Sequence, residues 1–255
     1  MKQKDENMIT SREVRLLEWR NSEEYLTWCT FFEDKGDQLV NFAKEFLLHR
    51  KSTLEGIKEK TARTEFASDS GLHRGFYCPS LVYDIIVGNV KRGRRLKGIR
   101  SNSKNYFIYG FDGQDKLIWV ERYYNGVVAY TEYIAYDNQA IWGITLDSMG
   151  RIYTVTKEKY DNGRIQNYLF ALVSSYEGLF SCDRLRYEEY VYDDVGLKKS
   201  IMHFFHPKGH YEQTIYDFER ASGFLSQYTA RTYIGKDTND SNIQQSYDVP
   251  IIRKA

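Results

Sequence analysis

From Tyr106 onward the chain is punctuated by turn signals at near-regular intervals, and nothing else in it restricts the possible folds as much. The signals are FDGQ at 111–114, YNG ending at Gly126, YDNQ at 136–139, DSMG ending at Gly150, YDNG ending at Gly163, YEG at Gly178, YDDVG at Gly196, HPKG at Gly209, ASG at Gly223 and IGK around Gly235. They lie roughly 12–18 residues apart, the length of one strand of about nine residues plus a short hairpin loop. Asn-Gly and Asp-Gly supply the positive φ that such loops need. The spacing predicts up to ten strands paired in sequence order.

Residues between the signals alternate. In 116–124, Leu117, Trp119 and Tyr123 face one way and Ile118, Val120 and Arg122 the other; in 184–192, Leu185, Tyr187 and Val191 oppose Arg184, Arg186 and Glu188. One face is therefore expected to be wetter than the other. Proline is missing between Pro79 and Pro207, as an unbroken hydrogen-bonded meander requires. About ten strands at ~4.8 Å make a sheet nearly 50 Å wide, and open sheets of that width curl or split.

Ahead of the meander, residues 10–62 read as helical. Trp28, Cys29 and Phe32, then Leu39, Val40, Phe42, Ala43, Phe46 and Leu47, recur at three and four. Asn21 followed by Glu24 resembles a capping box, and Gly36 then Asp37 reads as the end of one helix and the N-cap of a second that runs to about Ala62. Val14 to Trp19 is equally compatible with a strand. Residues 58–75 lose the periodicity and read as a connector. The expected fold is α+β: an N-terminal helical region, 1–65, packed on a long, curled antiparallel β-meander of about 8–10 strands, 76–250, the two forming one cooperative unit.

Composition narrows the function. The 36 basic and 35 acidic side chains nearly cancel to +1, so no global field draws the chain to nucleic acid or to an anionic membrane. The 22 Tyr, 14 Phe and 4 Trp suit half-buried pleated surfaces. No apolar run of signal-peptide or membrane-spanning length appears, and Cys29, Cys78 and Cys182, odd in number and widely spaced, suit reduced thiols. A cytoplasmic protein without membrane contact is expected.

Several clusters have the residue types that chemistry requires. His203, His206 and His210 are dense enough for zinc, but His203 and His206 differ by three residues and point to opposite faces of a strand, while His210 lies beyond a Pro-Gly turn. Cys78 with His73 is the one local nucleophile–base pair, and the neighbouring Phe76, Tyr77 and Pro79 imply burial instead. Paired carboxylates such as Asp193 with Asp194 and Glu188 with Glu189 fall in turns or on opposite faces. The expectation is no enzyme, no metal and no cofactor.

The recurring aromatic-Asp turns, as in YDNG at 160–163 and YDDVG at 192–196, resemble the YD-type repeats of bacterial Rhs toxin shells and the β-meander immunity and antitoxin proteins encoded beside polymorphic toxins. The resemblance covers about residues 106–235. A short chain that starts with helices fits the immunity proteins better. The resemblance implies a small, cytosolic, non-catalytic protein whose partner is a secreted bacterial toxin domain. Immunity proteins against nucleases are often acidic, and at +1 this chain departs from that pattern.

Tyr and Arg are the types enriched at interface hot spots. Tyr130, Arg184, Arg186, Tyr190, Arg231 and Tyr233 are accordingly expected on the wetter face as the partner-binding set. The alternative is nucleic-acid binding by the basic segment KRGRRLKGIR, through Lys91, Arg92, Arg94, Arg95, Lys97 and Arg100.

Overall fold

Each turn signal lies between two strands, so ten of them join eleven strands. The computed structural model describes residues 21–86, 92–176, 179–206, 210–221, 224–234 and 243–250. The eleven are β3 (Tyr106–Phe111), β4 (Leu117–Tyr124), β5 (Val127–Tyr136), β6 (Ala140–Asp147), β7 (Ile152–Asp161), β8 (Arg164–Tyr176), β9 (Leu179–Asp193), β10 (Gly196–His206), β11 (His210–Ala221), β12 (Phe224–Ile234) and β13 (Ile243–Pro250). All pair antiparallel with their neighbours in sequence. Two further strands, β1 (Arg63–Ser68) and β2 (Arg95–Leu96), extend the sheet beyond β3 in the order β3-β1-β2, giving 13 strands with two free ends and no closure.

The turn chemistry explains the regularity. Asp112, Asp137, Asp147 and Asp193 each accept two backbone N–H groups of their own turn on one carboxylate oxygen. In the two Asn-Gly hairpins, Asn125 and Gly126 take φ 51° and 80°, and Asn162 and Gly163 take 49° and 74°, both residues left-handed as two-residue hairpins demand. The signals at Gly178, Gly209, Gly223 and Gly235 lie outside the described residues, but strands end and begin on either side of each.

The helical region is divided differently from the sequence expectation. Helix α1 runs unbroken over Glu23–Leu48, through Gly36, and α2 follows over Arg50–Lys60. A mid-helix glycine costs about 1 kcal/mol against alanine. Here Gly36 is buried over Cys182 of β9, so packing of the whole helix overrides the local stop signal. The N-cap is Ser22, whose hydroxyl accepts the Tyr25 N–H, one residue past the expected Asn21. Val14 to Trp19 lies outside the described residues. The supposed connector 58–75 contains β1, whose strand state comes from its six-residue register with β3 rather than from its own pattern.

Helix α1 crosses the sheet. Trp28 stacks on Tyr211 of β11, Phe32 on Phe205 of β10, Phe42 on Trp142 of β6 and Phe46 on Tyr133 of β5. From β5 to β11 is about 29 Å at ~4.8 Å per strand. A helix of this length spans about 39 Å, enough to cover that distance obliquely. The core beneath it holds Phe32, Leu39, Ala43, Ile144, Val155, Leu169 and Leu185.

Candidate protein-binding face

The two faces of the sheet are covered in different ways. Opposite α1 runs a strap, residues 69–86, which includes a 3-10 turn at Gly75–Tyr77 and the short helix α3 (Tyr83–Ile86). It crosses from β3 and β4, where Asp69 pairs with Arg122 at 2.9 Å, to β10–β12, where Ile85 packs on Met202, Tyr216 and Tyr228.

Much of what holds the strap is polar. Arg74, in left-handed conformation at φ 55°, sends its guanidinium into the sheet. There Nε donates to Glu132 at 2.9 Å, Nη1 to Glu158, and Nη2 to Thr156 at 3.1 Å. His73 sits 3.0 Å from the other Glu132 oxygen and 3.2 Å from the Tyr168 hydroxyl. Gly143 opens the slot: a β-carbon there would overlap Glu132, Arg74 and Thr156. Burial alone would raise the Glu132 pKa, but the Arg74 guanidinium, followed by the contact with His73, holds it down at about 2. Further along, Ser80 donates to Glu188 at 2.6 Å, Tyr190 donates to the same oxygen at 2.5 Å, and the Leu81 N–H donates to the Tyr190 hydroxyl.

This strap overturns the expected location of two of the six residues in the binding set. Arg186 and Tyr190 were expected on a wet face; they are 5 % and 4 % exposed. Arg186 pairs with Glu188 at 2.9 Å and lies 3.9 Å from the Tyr83 ring centre, so both residues belong to the seat of the strap. Tyr130 is half-buried on the same face beside Arg122, and Arg184 alone of the four is exposed. The set expected on one face is split, with Arg186 and Tyr190 under the strap and Arg231 in register with Ile215 on the other face, because the sequence pattern does not show which face a distant segment will cover.

The helix face is covered only in part. Ring contacts from α1 reach Tyr187 and His203, whose Nε2 lies 3.0 Å from Glu189 and whose Nδ1 lies 2.9 Å from the Tyr211 hydroxyl. Beyond that row the register places Glu189, Ile201, Ile215 and Arg231 side by side on β9–β12, followed by Val191, Lys199 and Asp217. Val191 is 45 % exposed, and Ile201 and Ile215 are half-buried. Arg231 and Lys199 both reach Asp217, at 2.5 and 3.5 Å. The result is an apolar centre bordered by internally paired charges. Arg231 of the expected set belongs to it. Tyr233 pairs in register with Gln213, and its side chain lies outside the described residues. Ile201, Ile215 and Val191 were missed because single aliphatics in a strand read as core.

The basic segment is partly consumed by the fold. Arg92 holds Asp84 at 2.8 Å and the Cys78 carbonyl at 2.7 Å; Arg95 reaches Glu65 and the Tyr77 hydroxyl. Arg94, Lys97 and Arg100 are exposed, and Lys91 lies outside the described residues. Cys78 is buried, its thiol pushed up to about 11 by burial, and His73 meets Glu132 rather than Cys78. His206 and His210 pair across the β10–β11 hairpin, with side chains outside the described residues, and no group of three His, Cys, Asp or Glu side chains suited to a metal occurs among the described residues. No described helix is long and apolar enough to cross a membrane.

No protein-family model matches the chain. No curated protein matches it either.

Proposed function

We propose that this chain is a non-catalytic binding protein of the immunity type, which engages and neutralises a bacterial toxin domain through the open strip of its helix face. The observation that carries the reading is the cluster of Val191, Ile201 and Ile215 left accessible beside α1 and framed by the pairs His203–Glu189 and Arg231–Asp217. An apolar centre inside a polar rim is the anatomy of a protein interface. The resemblance of the aromatic-Asp hairpins to those of immunity proteins supports the same partner class.

The test is co-production with each secreted toxin-like domain found among the genes adjoining this one. The native chain should restore growth, and Ile215→Arg should lose that protection while keeping its thermal unfolding transition. Failure of the native chain to protect, or full protection by Ile215→Arg, rejects the reading.

The competing reading, nucleic-acid binding, draws on the exposed Arg94, Lys97 and Arg100. A shift of single-stranded RNA or DNA at physiological salt, lost on replacing Arg94 and Arg95, would favour it over the first.

A further inference from the structure

On the helix face, almost every carboxylate near the open strip is already engaged within the chain. Asp34 accepts from Lys35 and Gln38, Asp137 accepts from Trp142 and two turn N–H groups, Glu189 meets His203, and Asp217 meets Arg231 and Lys199. Two cations are left over. Lys157 on β7 lies 4.2 Å from the Trp142 ring centre and 3.3 Å from the neutral Gln38 amide oxygen, with no carboxylate at ion-pair distance among the described residues. Lys159, two residues on and therefore on the same face, is exposed and equally without a carboxylate among the described residues.

Register ties these lysines to the apolar centre. Lys159 pairs with Asn167, Asn167 with Glu189, and Glu189 with Ile201, so one row across β7–β10 runs from cation to aliphatic. Three strand spacings are about 14 Å, the reach of roughly ten helical residues. The strip lies along the flank of α1 that carries Phe31, Gln38 and Phe42, which gives it one helical wall and a sheet floor.

Resting on the binding reading above, we infer that the partner inserts an acidic amphipathic segment beside α1, its carboxylates meeting Lys157 and Lys159 and its apolar side chains covering Ile201 and Val191. Burial, followed by the fields of Lys159 and Lys35, holds Lys157 below the usual lysine range, and an incoming carboxylate would relieve that repulsion. Two like charges beside an apolar floor, offset only in part by the fields of Asp137 and Asp34 on Lys157, select against a basic partner and accelerate encounter with an acidic one.

The inference is tested with two designed 18-residue amphipathic peptides titrated into the full chain, one with glutamates flanking a leucine face and one with lysines in their place. The acidic peptide should bind at least roughly tenfold tighter at low salt, with the gap closing as ionic strength rises. The double substitution Lys157→Glu with Lys159→Glu should reverse the preference, Lys159→Glu alone should weaken it, and Lys97→Glu on the distant basic segment should leave it unchanged. Equal binding of the two peptides, no binding of either at millimolar concentration, or a preference untouched by the double substitution overturns the inference. Toxin protection is a separate readout: protection without acidic preference sinks this inference alone, and acidic preference without protection sinks only the toxin reading.

Discussion

The strap face and the helix face are made by the same strands, yet one buries charge and the other leaves aliphatics accessible. On the strap face, Glu132, Glu158, Arg186 and Glu188 are all buried, because Arg74, Ser80 and the Tyr190 hydroxyl meet them from the covering segment or from the same strands. On the helix face, α1 contributes mostly rings and aliphatics, and its cover stops at the row of Tyr187 and His203. Residue type therefore does not decide which surface is available to a partner. The tyrosines and arginines best suited to an interface are largely spent holding the strap, and the accessible surface is built from isoleucine, valine and lysine.

The contrast breaks most visibly at Arg74. Arg74→Met leaves Glu132 and Glu158 buried without their cation, so the chain should lose about 3–5 kcal/mol in urea unfolding. A loss under about 1 kcal/mol would mean that apolar contacts alone hold the strap.

Acid should separate the two faces more gently. Glu132 sits near 2 in the folded protein against an ordinary 4.5, so its contribution is fully present above about 4.5 and is lost as pH falls toward 2. A few kcal/mol of stability should disappear across that window, and Glu132→Gln should flatten this pH dependence. An unchanged acid profile in that variant would place the acid sensitivity elsewhere.

Tyr190→Phe removes one hydroxyl that bridges Glu188 and the Leu81 N–H, and should cost about 1–2 kcal/mol with no change in partner affinity. Weakened binding with intact stability would return Tyr190 to the interface. The smallest effect belongs to Lys159→Ala, expected within about 0.5 kcal/mol of the native stability because the side chain is exposed and without an ion-pair partner among the described residues. A larger loss in thermal unfolding would show that the helix face also depends on its charges.

The turn signals were legible because, among the described residues, they follow local rules, the Asx turn at Asp112 or the paired positive φ at Asn162 and Gly163. The expected 8–10 strands fell short of thirteen because ten turns join eleven strands and because β1 and β2 carry no turn signal. Gly36 misled for the opposite reason, since a local stop signal yielded to burial over Cys182. The strap was invisible in sequence: 69–86 has neither helical nor strand period, and its partners Glu132, Glu158 and Glu188 lie about 50 to 110 residues away. Of the expected binding set, Arg231 was assigned with Arg186 and Tyr190 to one wetter face, and only the strand register and the cover over β9 show that it lies on the opposite one.

The stacking of Trp28 on Tyr211 sets an order of events on the ribosome. Helix α1 is made early, but the Tyr211 partner of Trp28 comes about 180 residues later, some 10–40 s at ordinary rates of synthesis. The last turn of α1 meets Tyr133 and Trp142 well before its first turn meets Tyr211. Docking should therefore proceed backward along the helix as each new hairpin joins the growing edge. Until β10 and β11 have been translated, Trp28 and Phe32 lack their ring partners on the sheet, which makes the nascent chain most vulnerable to wrong association at the end of the helix that was synthesised first.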